Sequence, residues 1–308
     1  MDGRLLALTA LLALGLACGD DADDGVPFDA APADGSMDAG ADAGADGGSD
    51  LGTDGAVDLG TDAGPPPPAT CAGFCGRAST GGCRCDDSCA GAGACCDDYE
   101  TTCAVEAEVR AELTAGHMTR GYDGGRDLMY GISGSVDVVD GELECVYTGT
   151  TVAPDGTRTP GGIFNTEHVW PRSAGEPSGS AGDLYNLRPT LEEANGERGN
   201  FPFGETTCSG AACDYARGGS ELGVDTAGAT VWQVRAERQG DIARSIFYFA
   251  TRYRMDLPAA EEAALRAWHA ADPPDDVERG RVDRVEAAQG NRNVFVDRPE
   301  LVDAIPDF

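Results

Sequence analysis

The sequence predicts an α+β domain over residues 104–308, preceded by a small disulfide-rich module. Three observations carry that prediction. Apolar residues recur at helical spacing near both ends of the domain. Runs of strand length, rich in β-branched residues, lie between them. Eight of the twelve cysteines crowd between Cys71 and Cys103, too densely for a reduced cytosolic core.

The chain opens with Arg4 ahead of an apolar run from Leu5 to Leu16. About a dozen apolar residues are too few to span a bilayer but suit a signal peptide, so residues 1–18 are expected to direct export. The stretch Gly15-Leu16-Ala17-Cys18 resembles a bacterial lipoprotein box, with its leucine one place early at Leu14. Cys18 is therefore the expected lipid attachment point, and an outer-membrane or cell-surface lipoprotein the expected product. Ordinary cleavage and secretion is the alternative.

Residues 19–70 follow as an acidic linker with thirteen aspartates and no basic residue. Like charges repel and nothing offers an apolar face, so an extended, disordered stalk is expected. Pro65 to Pro68 make its end a stiffer spacer. The aspartate spacing lacks a calcium-loop pattern.

Residues 71–103 read as a disulfide-rich module. The spacing is Cys71-x3-Cys75-x7-Cys83-x-Cys85-x3-Cys89-x5-Cys95-Cys96-x6-Cys103. A tetrathiolate zinc site is the competing reading, opposed by the adjacent Cys95-Cys96 and the lack of paired Cys-x-x-Cys knuckles. So short a segment cannot bury enough core to fold alone, and cross-links supply what packing cannot. Eight cysteines allow 105 pairings, and spacing selects none. With Cys83-Arg84-Cys85-Asp86 and Cys95-Cys96-Asp97-Asp98-Tyr99, the module resembles a somatomedin B domain. That resemblance implies a protein partner, or a spacer role.

In residues 104–308, Val105, Val109 and Leu113 before Gly116 predict an amphipathic helix with a glycine stop. Ile242, Ile246, Phe249 and Tyr253 predict another, and further helices are expected near 259–270 and 276–288. Strands are expected around Val136–Val139, Cys145–Val152 and Thr230–Val234. Cys208 and Cys213 are spaced for a small loop disulfide, which leaves Cys145 as the expected free thiol.

Charge sets the main constraint on function. The net charge is −32, and all 22 basic residues are arginine. Phosphate binding normally draws on clustered positive charge, so an acidic protein is an unpromising partner for a polyanion. A nucleic-acid substrate then calls for a bound divalent cation, local arginine clusters or a salty medium.

Only three histidines occur: His117, His168 and His269. His168 lies in Phe164-Asn165-Thr166-Glu167-His168-Val169-Trp170-Pro171-Arg172-Ser173, where Pro171 breaks regular structure, so a strand is expected to end at His168. A twist at such an end can bring Glu167 and His168 to one site. Downstream, Asp183-Leu184-Tyr185-Asn186-Leu187-Arg188-Pro189 leads to Thr190 and Glu193 at capping-box spacing. A short helix is expected to start at Thr190 and carry Asn195. Strand, loop and helix would gather Glu167, His168 and Asn195 around one point.

These residues resemble bacterial endonuclease I, a family of secreted or periplasmic nucleases with a ββα-metal (His-Me finger) site. The likeness takes in Glu144-Cys145-Val146-Tyr147-Thr148-Gly149, Glu167-His168-Val169-Trp170-Pro171 and the stretch from Asn195 to Gly204. It continues through Gly240-Asp241-Ile242-Ala243-Arg244, Phe247-Tyr248, Arg252-Tyr253 and Gln289-Gly290-Asn291-Arg292-Asn293. The resemblance implies His168 as general base and Glu167 with Asn195 as oxygen ligands of one Mg²⁺, other divalent cations being alternatives. It also implies an arginine that shares the charge of the scissile phosphate. Arg198 is the candidate, with Arg188 behind it.

One position departs from the family, which often carries histidine where this chain has Tyr185. His117 and His269 are expected at the surface or at helix ends. Gln289 to Asn293 are expected to form a hydrogen-bonded turn, and Arg244 is open between a buried acid and a phosphate. The functional expectation is an extracytoplasmic metal-dependent endonuclease acting on DNA, with RNA as a further candidate substrate. The alternative is a surface adhesion protein with a degenerate nuclease scaffold.

Overall fold

The computed structural model describes residues 70, 71, 75, 82–85 and 89–308. The expected signal segment, and the acidic linker up to residue 69, lie outside the described residues.

The module is stapled by four disulfides: Cys71–Cys85, Cys75–Cys103, Cys83–Cys96 and Cys89–Cys95. Its cysteines are bonded to one another rather than held as a zinc tetrathiolate. Two short helices, α1 (Cys89–Ala92) and α2 (Tyr99–Thr102), sit between the staples. The buried centre consists of Cys71, Cys85, Cys89, Cys96 and Cys103 with Tyr99. Sulfur does the work of a core here.

Cys103 leads directly into α3 (Ala104–Thr114), which buries Val109 and Leu113 and stops before Gly116 at φ +75°. Helix α4 (Gly121–Met129) follows. An antiparallel meander comprises β1 (Val138–Val139), β2 (Glu142–Glu144) and β3 (Thr151–Val152). The expected strand over Cys145–Val152 is thus mostly a turn. Cys145 N–H donates to the Thr150 carbonyl at 2.8 Å, and Gly149 takes φ +68°, a conformation that reverses the chain.

The second sheet is the pair β4 (Phe164–His168) and β5 (Leu187–Leu191), antiparallel with His168 opposite Leu187 and Glu167 opposite Arg188. Helix α5 (Glu192–Arg198) follows β5 and packs on β4. It begins two residues later than the capping-box spacing predicts. Thr190 is fully buried within β5, its hydroxyl 3.5 Å from the free thiol of Cys145, so its side chain is not available to cap a helix. A third sheet of β6 (Tyr215–Arg217), β7 (Ser220–Val224) and β8 (Thr230–Gln233) is antiparallel in that order. The Cys208–Cys213 disulfide closes the loop before it.

The C-terminal part is helical. Helix α6 (Gln239–Tyr253) is buried continuously from Gly240 to Thr251, as a helix through the centre of a domain must be. Around it lie α7 (Ala259–Ala271), α8 (Asp276–Gln289), α9 (Val294–Asp297) and the short α10 (Leu301–Ala304). Arg244 of α6 is fully buried and donates to both carboxylate oxygens of Glu278, at 2.6–2.9 Å. It belongs to a buried ion pair, not to a phosphate.

A second buried acid organises the strands. Asp183 accepts hydrogen bonds from the hydroxyls of Tyr248 (2.8 Å) and Tyr253 (2.9 Å), from Arg252 and from the Gln289 amide (2.9 Å). Asn291 donates to the Leu113 carbonyl and to Tyr248. The polar turn from Gln289 is therefore the packing device that the sequence suggests. Replacing Asp183 with alanine leaves Arg252 buried without its partner and should cost about 3–5 kcal/mol, read as a lower urea midpoint.

His269, at the end of α7, donates from Nε2 to the Pro299 carbonyl (3.1 Å) and offers Nδ1 to Arg244 (3.4 Å). Burial, then the Arg244 charge, hold its pKa below the ordinary imidazole value. A folded pKa below the unfolded one means that protons favour the unfolded chain. The stability His269 contributes is present above about pH 6.5 and is lost as the pH falls below it. The His269→Gln protein should therefore lose less Tm than its parent between pH 7 and pH 5.

Candidate active site

The site grows from the end of β4. Beyond His168 the strand pairing continues through Val169 N–H to the Asn186 carbonyl (2.9 Å), and Trp170 N–H donates to the Asn186 side-chain oxygen (2.7 Å). Asn186 thus fixes the path of the chain where it leaves the strand, just before Pro171 disrupts it. Helix α5 supplies Asn195 and Arg198. An open pocket of about 170 Å³ results, lined by Glu167, His168, Asn195 and Arg198 together with Arg172 and Asn200. All four residues singled out from the sequence meet there.

His168 sits at the wall of this pocket. Its ring packs against Tyr122 of α4 at 5.3 Å between centroids. The Ala181 backbone accepts a hydrogen bond from the ring, and Nε2 has no partner among the described residues. Ala181 is held in place by an unusually close backbone approach, since a Cβ on Gly182 would fall 1.9 Å from the Gly121 carbonyl oxygen. Only glycine fits there. Burial, then the charge of Arg172, lower the His168 pKa to about 4. At neutral pH the imidazole is uncharged and Nε2 carries a free lone pair.

Glu167 is almost wholly buried. Its Oε1 accepts from the Tyr147 hydroxyl at 2.7 Å and lies 3.2 Å from Arg198 Nη1. Burial pushes the carboxyl upward, while Arg198 and Tyr147 pull it back. Both contacts fall on Oε1, so Oε2 is the oxygen left for a ligand.

Asn195 has its amide orientation set by two acceptors. Nδ2 donates to Asn165 Oδ1 (2.9 Å) and to the Thr166 carbonyl (3.1 Å). That turns Oδ1 into the group available to the pocket. A carboxylate oxygen and an amide oxygen form a hard donor set, which fits a magnesium-like cation that keeps several of its waters.

Arg198 departs from its expected role. It is almost fully buried, bound to Glu167, donating to the Val169 carbonyl (3.0 Å) and lying over the Phe203 ring at 4.6 Å. Its guanidinium is committed beneath the pocket, where it positions Glu167. Arg188, the second candidate, is not among the pocket's lining residues. It donates to Ser245 (2.8 Å) and lines a separate cleft with Asp241 and Glu278. The arginine that sequence reasoning missed is Arg172. It stands exposed at the pocket mouth, with Glu176 as an ion partner at 3.1 Å. Its one signal was its place, four residues after His168. Tyr122 and Tyr147 were missed too, because both come from elements remote in sequence.

Tyr185 points away from this chemistry. It is buried, donates to the Asn291 carbonyl (3.1 Å) and packs against Tyr248 at 4.5 Å. It is a structural residue of the Asp183 network. His117 is likewise outside the site, half-buried beside Asn291.

An antiparallel strand pair and a following helix that bring together a neutral histidine, a buried carboxylate and an oriented amide define an α+β nuclease domain. The chain belongs to the Endonuclease I family, whose model matches residues 104–300. A Somatomedin B domain model matches residues 69–106. The chain is 35% identical over 167 residues to an extracellular ribonuclease of Bacillus subtilis (strain 168), covering 47% of this chain and 54% of that protein. It is 32% identical over 117 residues to an extracellular deoxyribonuclease of Aeromonas hydrophila, with 38% and 49% covered. It is also 32% identical over 114 residues to Endonuclease-1 of Buchnera aphidicola subsp. Acyrthosiphon pisum (strain APS), with 37% and 44% covered. The chain spans about half the length of these relatives.

The buried pair predicts its own weakness. With EDTA present, Arg198→Met leaves Glu167 without its countercharge and should lower stability by about 3–5 kcal/mol in urea titrations.

Proposed function

We propose that this chain is an extracytoplasmic, metal-dependent endonuclease that hydrolyses phosphodiester bonds in DNA and RNA. One observation carries the reading: His168, Glu167 and Asn195 line a single open pocket, and the buried Nε2 of His168 has no hydrogen-bond partner among the described residues. The relatives support both polymers, since one is named a ribonuclease and another a deoxyribonuclease.

In this mechanism His168 is the general base. Its Nε2 takes a proton from the attacking water, and the Ala181 carbonyl steadies the imidazolium that forms by accepting from the other ring nitrogen. Glu167 and Asn195 would hold the cation, Mg²⁺ fitting their oxygens. A bound divalent cation supplies Lewis-acid stabilisation of charge on the phosphate and leaving oxygen. Arg198 keeps Glu167 in position from below. Arg172, exposed at the mouth, meets the incoming phosphate. Nothing in this arrangement reads base edges, so phosphate chemistry alone imposes no sequence preference.

Placement outside the cytoplasm agrees with the disulfides and with the relatives' names, extracellular and periplasmic. Lipidation of Cys18 would tie the enzyme to a membrane, and the somatomedin B module would dock a protein partner or act as a spacer.

The test is digestion of plasmid DNA and of RNA by the purified protein, with Mg²⁺ and with EDTA. His168→Ala should reduce cutting roughly 100-fold or more. Asn195→Ala should instead raise the Mg²⁺ concentration needed for half-maximal cutting by about tenfold or more. Folded protein that cuts neither polymer in any divalent metal would sink the reading.

A further inference from the structure

A second cavity, of about 500 Å³, adjoins the His168 pocket. The two share Pro171 and Asn200, so they form one continuous surface. Where the first pocket is polar, the second is walled by Trp170, Phe201, Ile246 and Met255. Trp170 is backed by Phe249, stacked at 5.3 Å, and so offers a rigid wall. Phe201 is different: its ring is 39% exposed, immediately after the last residue of the catalytic pocket. Glu261 adds an acceptor, with Oε1 engaged by the Phe203 N–H at 2.9 Å.

We propose that this cavity receives one unstacked base of the strand being cut, next to the scissile phosphate, and that the enzyme therefore favours single-stranded nucleic acid. The proposal rests on the nuclease reading above and deepens it. The volume is that of a small-ligand pocket. A base has two apolar faces and a polar edge, which match an exposed phenylalanine ring, an aromatic wall and a carboxylate that accepts N–H groups. A base inside a duplex is stacked on both sides and reaches such a pocket only by leaving the helix, at an energetic cost that a single strand avoids.

Electrostatics favours the same occupant. The net charge of −32 repels a polyanion, whereas stacking a base is insensitive to that repulsion. Near the pocket, Arg126 and Arg158 are ion-paired with Asp123, and Arg158 also with Asp127. Affinity that phosphate contacts cannot supply comes instead from the base.

The experiment uses a single-stranded oligonucleotide in which one abasic residue is moved through successive positions, its matched duplex, and a fully abasic strand as a polydiester without bases. The parent should cut the single strand about tenfold faster than the duplex, and should cut the bond beside the abasic residue about tenfold more slowly than others. Phe201→Ala should cut the fully abasic strand at the parental rate yet lose the abasic discrimination, and Phe201→Trp should retain it. Equal cutting beside abasic and intact residues by the parent overturns the base pocket while leaving the nuclease reading intact. So does discrimination that survives Phe201→Ala. Failure to hydrolyse any of the three substrates removes the nuclease reading, and this proposal with it.

Discussion

The carboxylate of Asp183 is the constraint on which the domain depends. It is fully buried, and a charge in that position is tolerable only if its oxygens are filled with donors. Those donors come from α6, from the end of α8 and from the Tyr185 backbone. The same residue opens the turn that leads to β5, since Asn186 N–H donates to the Asp183 carbonyl (2.8 Å). Asn186 then clamps the end of β4 through Val169 and Trp170. The location of His168 is thus set by a chain of polar contacts that begins at the buried acid. A helical core and a strand pair with little shared sequence signal are locked together by one carboxylate.

The site itself works by separating two ionisable neighbours. Glu167 and His168 are adjacent, and both are largely desolvated, but different partners decide what each becomes. Burial raises the Glu167 pKa, and Arg198 and Tyr147 hold that rise in check. His168 is kept neutral by burial and by Arg172. The proposed mechanism asks Glu167 to serve as a metal ligand and His168 as a base, and it rests on these opposed surroundings. The arginine beneath the pocket and the arginine at its mouth differ in burial, and that difference assigns their tasks. Arg198 cannot leave its carboxylate without exposing two charges to an apolar interior. Arg172 is exposed, with a surface ion pair to Glu176 and its guanidinium 5.8 Å from the Tyr122 ring centroid.

Much of this was legible in the sequence, where local pattern and local physics agree. The helices α3, α6, α7 and α8 announced themselves by apolar spacing, and Pro171 announced the end of β4. The Endonuclease I likeness supplied the grouping of Glu167, His168 and Asn195, which no periodicity contains. The failures share a cause: tertiary burial overrode a local signal. Thr190 has the right neighbour for a cap but lies inside β5 against Cys145. Cys145 to Thr150 are apolar and β-branched enough for a strand, yet Gly149 turns them back. Arg198 and Arg188 look alike in sequence, and only their surroundings tell a structural cation from one free to meet a phosphate. Arg244 is ambiguous in the sequence for the same reason, and the Glu278 carboxylate beside it makes it half of an ion pair.

The excess of acid over base is less of an obstacle to a nuclease than composition suggests. Many of the domain's arginines are internal structural parts: Arg198, Arg244, Arg252 and Arg281 are each bound to a buried or nearly buried carboxylate. Counting them as a surface charge for substrate overstates the positive side, which sharpens the problem before it is solved. What remains at the pocket is an exposed Arg172, an oxygen donor set suited to a divalent cation, and a largely apolar cavity at its border. On the proposed reading such a site would hold a nucleic acid through a metal ion on one phosphate and one stacked base rather than through a long track of phosphate contacts. Counterion release scales with the number of phosphates neutralised. Binding built this way would be shallow in its dependence on salt.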